Sequence, residues 1–185
     1  MSLEQAGTEL GTEMKAFDLP GVDGRNWSLA DARGEKGTLV MFICNHCPYV
    51  VGAISRIVRD ADELAPLGVK SVAICSNDAN VYPEDSFDNM KRFAQDHEFR
   101  FPYLFDETQS VARGWGAVCT PDFFGFNSKL ELQYRGRLDA SRREAGPAGL
   151  RRDLYEAMRQ IIETGQGPRE QIASMGCSIK WKDAA

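Results

Sequence analysis

The chain has 185 residues, enough for one domain around a single buried core, and its 43% apolar and 26% charged content is ordinary globular usage that excludes disorder, collagen-like repeats and coiled coil. Lys+Arg 22 against Asp+Glu 27 gives a formal charge of -5, so no phosphate-neutralising face is implied and no nucleic-acid partner is expected. The longest apolar run, Leu39 to Cys44, is too short to cross a bilayer, which argues against a membrane partner. The N-terminus, Met1 to Gly11, carries Glu4 and Glu9 and has neither the positive flank nor the apolar centre of a secretory signal, so a reducing, cytoplasmic address is expected.

No repeat or linker divides the sequence, which predicts one domain over 1–165 and a C-terminal tail over 166–185. Phe17 to Leu29 sets turn residues between two short apolar stretches and reads as an irregular hairpin. Thr38 to Ile43 is apolar without alternation, the pattern of a central strand covered on both faces. Val50, Ile54, Ile57, Ala61 and Leu64 mark one stripe of a helix closed by Pro66 and Gly68, and Val69 to Cys75 is a second buried strand. Strand, helix, strand in this order is a parallel βαβ unit. Pro83, Glu84 and Asp85 then precede a helix bearing Phe87, Met90, Phe93 and Ala94, and Thr108 is placed to cap a shorter one holding Val111, Ala112 and Trp115. Phe123 to Asn127 and Leu130 to Tyr134 form an antiparallel hairpin, and a last helix is predicted from Ala148 to Thr164, stopped by Gly165. The fold class is α/β, a central mixed sheet flanked by helices on both faces. The tail, with Ile172, Met175, Ile179 and Trp181, is too apolar to float free and should pack on the body.

The chemistry concentrates in Cys44-Asn-His-Cys-Pro-Tyr-Val50, where a buried strand ends and a helix begins. A helix start offers unpaired N–H groups and a positive dipole end, which favour a thiolate over a thiol, so Cys47 is the expected nucleophile, ionised and reachable. Pro48 suits the first helical position because its missing N–H would have had no partner. Five cysteines in such a chain do not suggest a disulfide framework; Cys75, Cys119 and Cys177 stand apart from the Cys44/Cys47 pair.

This segment, Cys119-Thr120-Pro121 before the hairpin, and the order of elements resemble the thioredoxin superfamily, specifically a peroxiredoxin-like branch of the AhpC/TSA (redoxin) group, over roughly residues 14 to 165. The resemblance implies a thioredoxin-like fold in which Pro121 is cis and faces the active cysteine. It also aligns Cys47 with the attacking cysteine of thioredoxins, so that their second cysteine falls at Val50 and the Cys-x-x-Cys is shifted one turn toward the strand. The buried aspartate of thioredoxins falls at Met41; the Pro and Thr of peroxiredoxins fall at Val40 and Cys44, and their arginine is absent at Thr120-Pro121. These departures weigh against efficient peroxidase activity more than against thiol exchange.

The expected function is therefore a thiol-disulfide oxidoreductase with antioxidant character, Cys47 attacking and Cys44 resolving, supported by His46, Pro48, Cys119, Thr120 and Pro121, with no cofactor and no bound metal. Its partners would be a protein or small-molecule disulfide or hydroperoxide and an external dithiol reductant such as a thioredoxin, with homodimer formation left open. One rival is a thiol peroxidase in which Cys47 becomes a sulfenic acid that condenses with Cys44 or Cys119. Another is a non-catalytic module in which Cys44, Cys47 and His46 or Cys119 bind a metal or partner. Asn77 and Cys177 are further candidates, Asn77 because it follows the second parallel strand at its carboxyl end. Cys177 reads equally as a resolving or a packed thiol. Cys75, Trp115 and Phe123-Phe124 read as core, His97 as a solvated helix end, and Arg142-Arg143 and Arg151-Arg152 as solvated faces.

Overall fold

A computed structural model describes residues 9–183; the first eight residues, on which most of the signal-segment expectation rests, lie outside them. The chain opens with a hairpin, β1 (Asp18–Pro20) paired antiparallel with β2 (Asn26–Ser28). Ser28 then starts α1 (Leu29–Ala32) through a capping box, its hydroxyl accepting from Asp31 N while the Asp31 carboxylate accepts from Ser28 N. β3 (Gly37–Phe42) follows, buried at every position because it is the middle of a five-stranded sheet.

Sheet order is β5–β4–β3–β7–β8. β4 (Val69–Cys75) and β5 (Tyr103–Phe105) run parallel to β3, while β7 (Asp122–Asn127) is antiparallel to it and pairs with β8 (Leu132–Gly136). Leu39, Met41 and Ile43 face a core filled from α3 (Ile54–Leu64), α4 (Phe87–Asp96) and α6 (Asp153–Thr164). Val40 and Phe42 face a second core built from Met14, Phe17, Leu19 and the Val111, Ala112 and Trp115 stripe of α5 (Ser110–Trp115). The period of two along one strand thus assigns its side chains to two cores. Among the described residues no helix is long and apolar enough to cross a membrane.

Several boundaries differ from those read in the sequence. The stripe expected as one helix breaks at Gly52-Ala53 into α2 (Pro48–Val51) and α3, and the Arg143 carbonyl lies where a Cβ on Gly52 would stand. Thr108 does not cap α5. Gln109, at φ +65°, occupies the cap, and the Asp106 carboxylate accepts from the Val111 and Ala112 N–H groups. The last helix starts at Asp153, five residues later than its apolar pattern suggests, after a loop in which Gly146 and Gly149 take positive φ. Leu130 also has positive φ and lies in the turn, so β8 begins at Leu132.

The tail packs on the body and does so by strand pairing. β9 (Cys177–Ser178) runs antiparallel to β6 (Cys119–Thr120), with Thr120 opposite Cys177 and Cys119 opposite Ser178. Ile179 N donates to Val118 O and the Ile179 side chain is buried in the second core. Lys180 N donates to Asn77 Oδ1, Asp78 N to Lys180 O, and Lys182 N to Gln109 Oε1. Trp181 receives the Arg113 guanidinium over its ring at 4.4 Å.

Candidate active site

β3 delivers Cys44 two residues beyond its end, and Cys47 is the N-cap of α2 with Pro48 at the first helical position. No side chain caps this helix; the Val50 and Val51 N–H groups donate to the Cys47 carbonyl, and the Cys47 sulfur sits at the positive end of the turn, where the Val50 N–H also favours its thiolate. The Thr120 hydroxyl lies 3.5 Å from Cys44 Sγ. Cys47 Sγ lies 3.4 Å from the Thr120 carbonyl, and the Thr120–Pro121 peptide is cis. All five cysteines are unbridged.

The two thiols share a proton unequally. The Cys44 hydrogen bond, opposed by burial and aided by Cys177 and the Val50 N–H, holds Cys47 well below the usual thiol range. The same hydrogen bond, with burial and the nearby Asp85 carboxylate, pushes Cys44 up. Cys47 therefore ionises first and Cys44 keeps its proton until Cys47 has reacted.

Cys177 completes the cluster. It lies on β9 opposite Thr120 and packs on the core cluster that holds Cys47; burial and the neighbouring Cys47 raise it to about 11. Cys119 is close enough to feel Cys47, but its thiol points to Pro121 O at 3.7 Å, and burial together with Asp122 pushes it up. Cys75 is fully buried on β4 and raised to about 12, chiefly by desolvation.

Burial corrects one expectation. Cys47 is 1% exposed, as is Cys44, and Cys119 is 4% exposed. A helix start alone predicts a Cys47 presented to solvent, but Thr120 lies against its sulfur and β9 pairs with Thr120, a pairing too short for any sequence pattern to announce. Cys177 alone among the cysteines is half-exposed.

His46 does not contact Cys47. Its Nδ1 lies 2.6 Å from Asp85 Oδ2, and its ring stacks on Tyr82 at 5.7 Å and 7°. Asp85, read in the sequence only as a helix-start residue, is fully buried under the motif; it accepts from Asn45 N and Asn77 Nδ2, both at 2.8 Å. Asn77 thereby ties Asp85 to Lys180 of the tail, and Tyr103 Oη donates to Asn45 Oδ1 at 2.8 Å. Cys44, His46 and Asp85 bring three donor atoms within 4.8 Å of one another, but both carboxylate oxygens of Asp85 are already engaged by protein groups. The cluster fits a loop clamp, and the buried carboxylate also favours a protonated Cys44. Asp85, Tyr103 and Gln109 left no motif in the sequence; only the Glu84-Asp85 pair after Pro83 marked the place.

Beside the Cys119–Pro121 and Ala173–Gly176 segments runs a cavity of about 220 Å³, lined among others by Tyr49, Phe123, Leu138 and Met175.

The AhpC/TSA family model matches residues 10–136. The chain is similar along nearly its whole length to two solved structures. An uncharacterized conserved protein from Geobacillus kaustophilus is 44% identical, with 99% of this chain and 97% of that chain covered and a TM-score of 0.92. A hypothetical protein from Sinorhizobium meliloti 1021 is 35% identical over 96% of this chain and 97% of that one, with a TM-score of 0.91. The thioredoxin domain of a thiol-disulfide oxidoreductase from Bacteroides vulgatus shares the fold, at 14% identity, 84% and 99% coverage and a TM-score of 0.64. No curated protein matches the sequence.

Proposed function

The chain belongs to the AhpC/TSA family, whose members are thioredoxin-fold, thiol-dependent redox proteins, and from that premise we propose that it catalyses thiol-disulfide exchange with Cys47 as nucleophile and Cys44 as resolving cysteine. The observation that carries this reading is the Cys44/Cys47 pair gathered on Thr120, whose hydroxyl lies 3.5 Å from Cys44 Sγ and whose carbonyl lies 3.4 Å from Cys47 Sγ, with Cys47 favoured as the thiolate and Cys44 as the thiol. Cys47 thiolate attacks a disulfide sulfur presented to it and a mixed disulfide forms. Cys44 then attacks Cys47 Sγ, the bound thiol leaves with the Cys44 proton, and a Cys44–Cys47 disulfide remains. An external dithiol restores the reduced pair. No prosthetic group enters these steps.

Disulfide exchange is favoured over peroxide reduction because the groups around Cys47 are thiols, the Val50 N–H and the Thr120 carbonyl, with no guanidinium among its hydrogen-bond partners to polarise a peroxide oxygen. Pro48, Thr120 and Pro121 act by position: Pro48 starts the helix, and the Thr120 carbonyl and hydroxyl face the two sulfurs. His46 acts indirectly, by fixing Asp85 and the 45–47 turn.

The test is a reaction of the reduced protein with an oxidised model dithiol and, separately, with hydrogen peroxide, followed by mass mapping of disulfides. Rapid oxidation by the dithiol with slow peroxide consumption is expected, lost in Cys47→Ser, with unresolved disulfides of Cys47 to another sulfur accumulating in Cys44→Ser. Faster consumption of peroxide than of disulfide would replace this reading with the peroxidase one. A full equivalent of metal bound to the cysteines of protein purified without chelator would replace both.

A further inference from the structure

Cys47 is 1% exposed, so an external disulfide cannot collide with it while β9 is in place. β9 is also firmly held: Ile179 is buried, and Asn77, Asp78, Gln109, Val118 and Arg113 each bind the segment 179–182. The half-exposed cysteine on that strand is Cys177: it pairs opposite Thr120, whose carbonyl lies 3.4 Å from Cys47 Sγ, and it packs on the core cluster that holds Cys47. We propose that Cys177 is a relay cysteine, the sulfur that meets the external disulfide or dithiol and passes oxidation to and from Cys47 through a Cys47–Cys177 disulfide. The inference rests on Cys47 being the redox thiol and names the sulfur presented to it.

The steps balance with a substrate disulfide R–S–S–R′ as oxidant. Cys177 Sγ attacks one sulfur, forming Cys177–S–S–R, while the Cys177 proton passes to the departing R′S⁻. Cys47 thiolate then attacks Cys177 Sγ, the Cys177–S bond to R breaks, and RS⁻ leaves and is protonated. Cys44 attacks Cys47 Sγ, its proton passes to the departing Cys177 thiolate, and the product is the Cys44–Cys47 disulfide with Cys177 regenerated. One disulfide is reduced to two thiols and two protein thiols are oxidised to one disulfide.

The same arrangement suits reduction. In a Cys47–Cys177 disulfide the reachable sulfur is Cys177, and the group expelled when an external thiolate attacks it is Cys47, the thiolate that this site stabilises through Cys44 and the Val50 N–H. A stabilised leaving thiolate speeds exchange. The adjoining cavity, bordered by Tyr49, Cys119, Pro121 and Gly176, gives the R group an apolar seat next to the Cys177 strand.

The experiment uses the full-length reduced protein and one equivalent of dithiodipyridine, a neutral disulfide whose released thione is coloured, with acid quench and peptide mapping. Wild type should carry the first pyridyl adduct on Cys177 and release a second thione as Cys47 closes on it. Cys177→Ala and Cys177→Ser should slow thione release by at least about tenfold, Cys44→Ala should release both thiones and accumulate the Cys47–Cys177 bridge, and Cys47→Ser should stop after the first thione. A first adduct on Cys47 in wild type, a measurement that needs no variant to fold, overturns the relay. So does a Cys177→Ala protein that forms the Cys44–Cys47 bridge at the wild-type rate, and in that case the Cys47/Cys44 reading stands. Release of both thiones at the wild-type rate by Cys47→Ser would instead remove the reading on which the relay rests.

Discussion

At Cys47 two influences of opposite sign meet, since burial favours the neutral thiol while hydrogen bonds from Cys44, Cys177 and the Val50 N–H favour the thiolate. The hydrogen bonds win, the Cys44 donor being the largest contributor. Ultraviolet thiolate absorbance, taken as the difference between wild type and Cys47→Ser, should therefore titrate below the free-thiol value of about 8.5. In Cys44→Ala the chief donor is gone, and the midpoint should rise toward that value; a midpoint that stays put would mean that Cys44 does not hold the proton. The sign for stability is that of a carboxylate: a lowered folded-state value stabilises the reduced protein above the unfolded thiol's range, and this is lost as pH falls through the folded value. Asp85 works on Cys44 in the opposite sense, keeping a proton on the resolving thiol.

At the scale of elements, function turns on the shortest strands in the molecule. β6 and β9 have two residues each, and neither carries a periodic pattern, because what defines them is the partner and not their own sequence. The three-residue edge strand β5 is illegible for the same reason, whereas the six apolar residues of β3 and the seven-residue β4 can be read directly. Gly176 marks how close the two chains lie, since a Cβ there would collide with the Thr120 carbonyl. Gly176→Ala should force β9 from β6 and raise the rate of Cys47 alkylation by about tenfold or more, a local opening normally suppressed by the strand. Alkylation at the wild-type rate would show that the strap can shift without uncovering the sulfur. Ile179→Ala should cost about 2–4 kcal/mol in denaturant unfolding, the range for a large aliphatic side chain lost from a core, because Ile179 is buried in the second core beside Trp181.

For the molecule as a whole, the sequence carried the architecture because it resides in long apolar runs and a helix-start motif, and it located Cys44, Cys47 and Thr120-Pro121 as one site. It could not convey that the tail closes that site, or that Asp122 is buried next to Pro121, since both depend on residues distant in the chain. Asp122 contributes to how the fold responds to pH. Burial raises its carboxyl from 3.8 to about 6 against the pull of Arg135, whose guanidinium lies 3.1 Å away. A raised folded-state value means that the contribution is fully present below the unfolded value near 3.8 and is lost as pH rises through about 6. A rise of that size corresponds to roughly 3 kcal/mol. The unfolding free energy of wild type minus that of Asp122→Asn should thus fall by up to that amount between acid and neutral pH, because the variant lacks the titrating group while any constant cost of altering the Arg135 contact cancels. A difference independent of pH would place the ionised carboxylate at no disadvantage in the fold. Burial and the Asp122 charge both push Cys119 up, so Cys119 stays a neutral thiol at neutral pH and should be alkylated more slowly than Cys177.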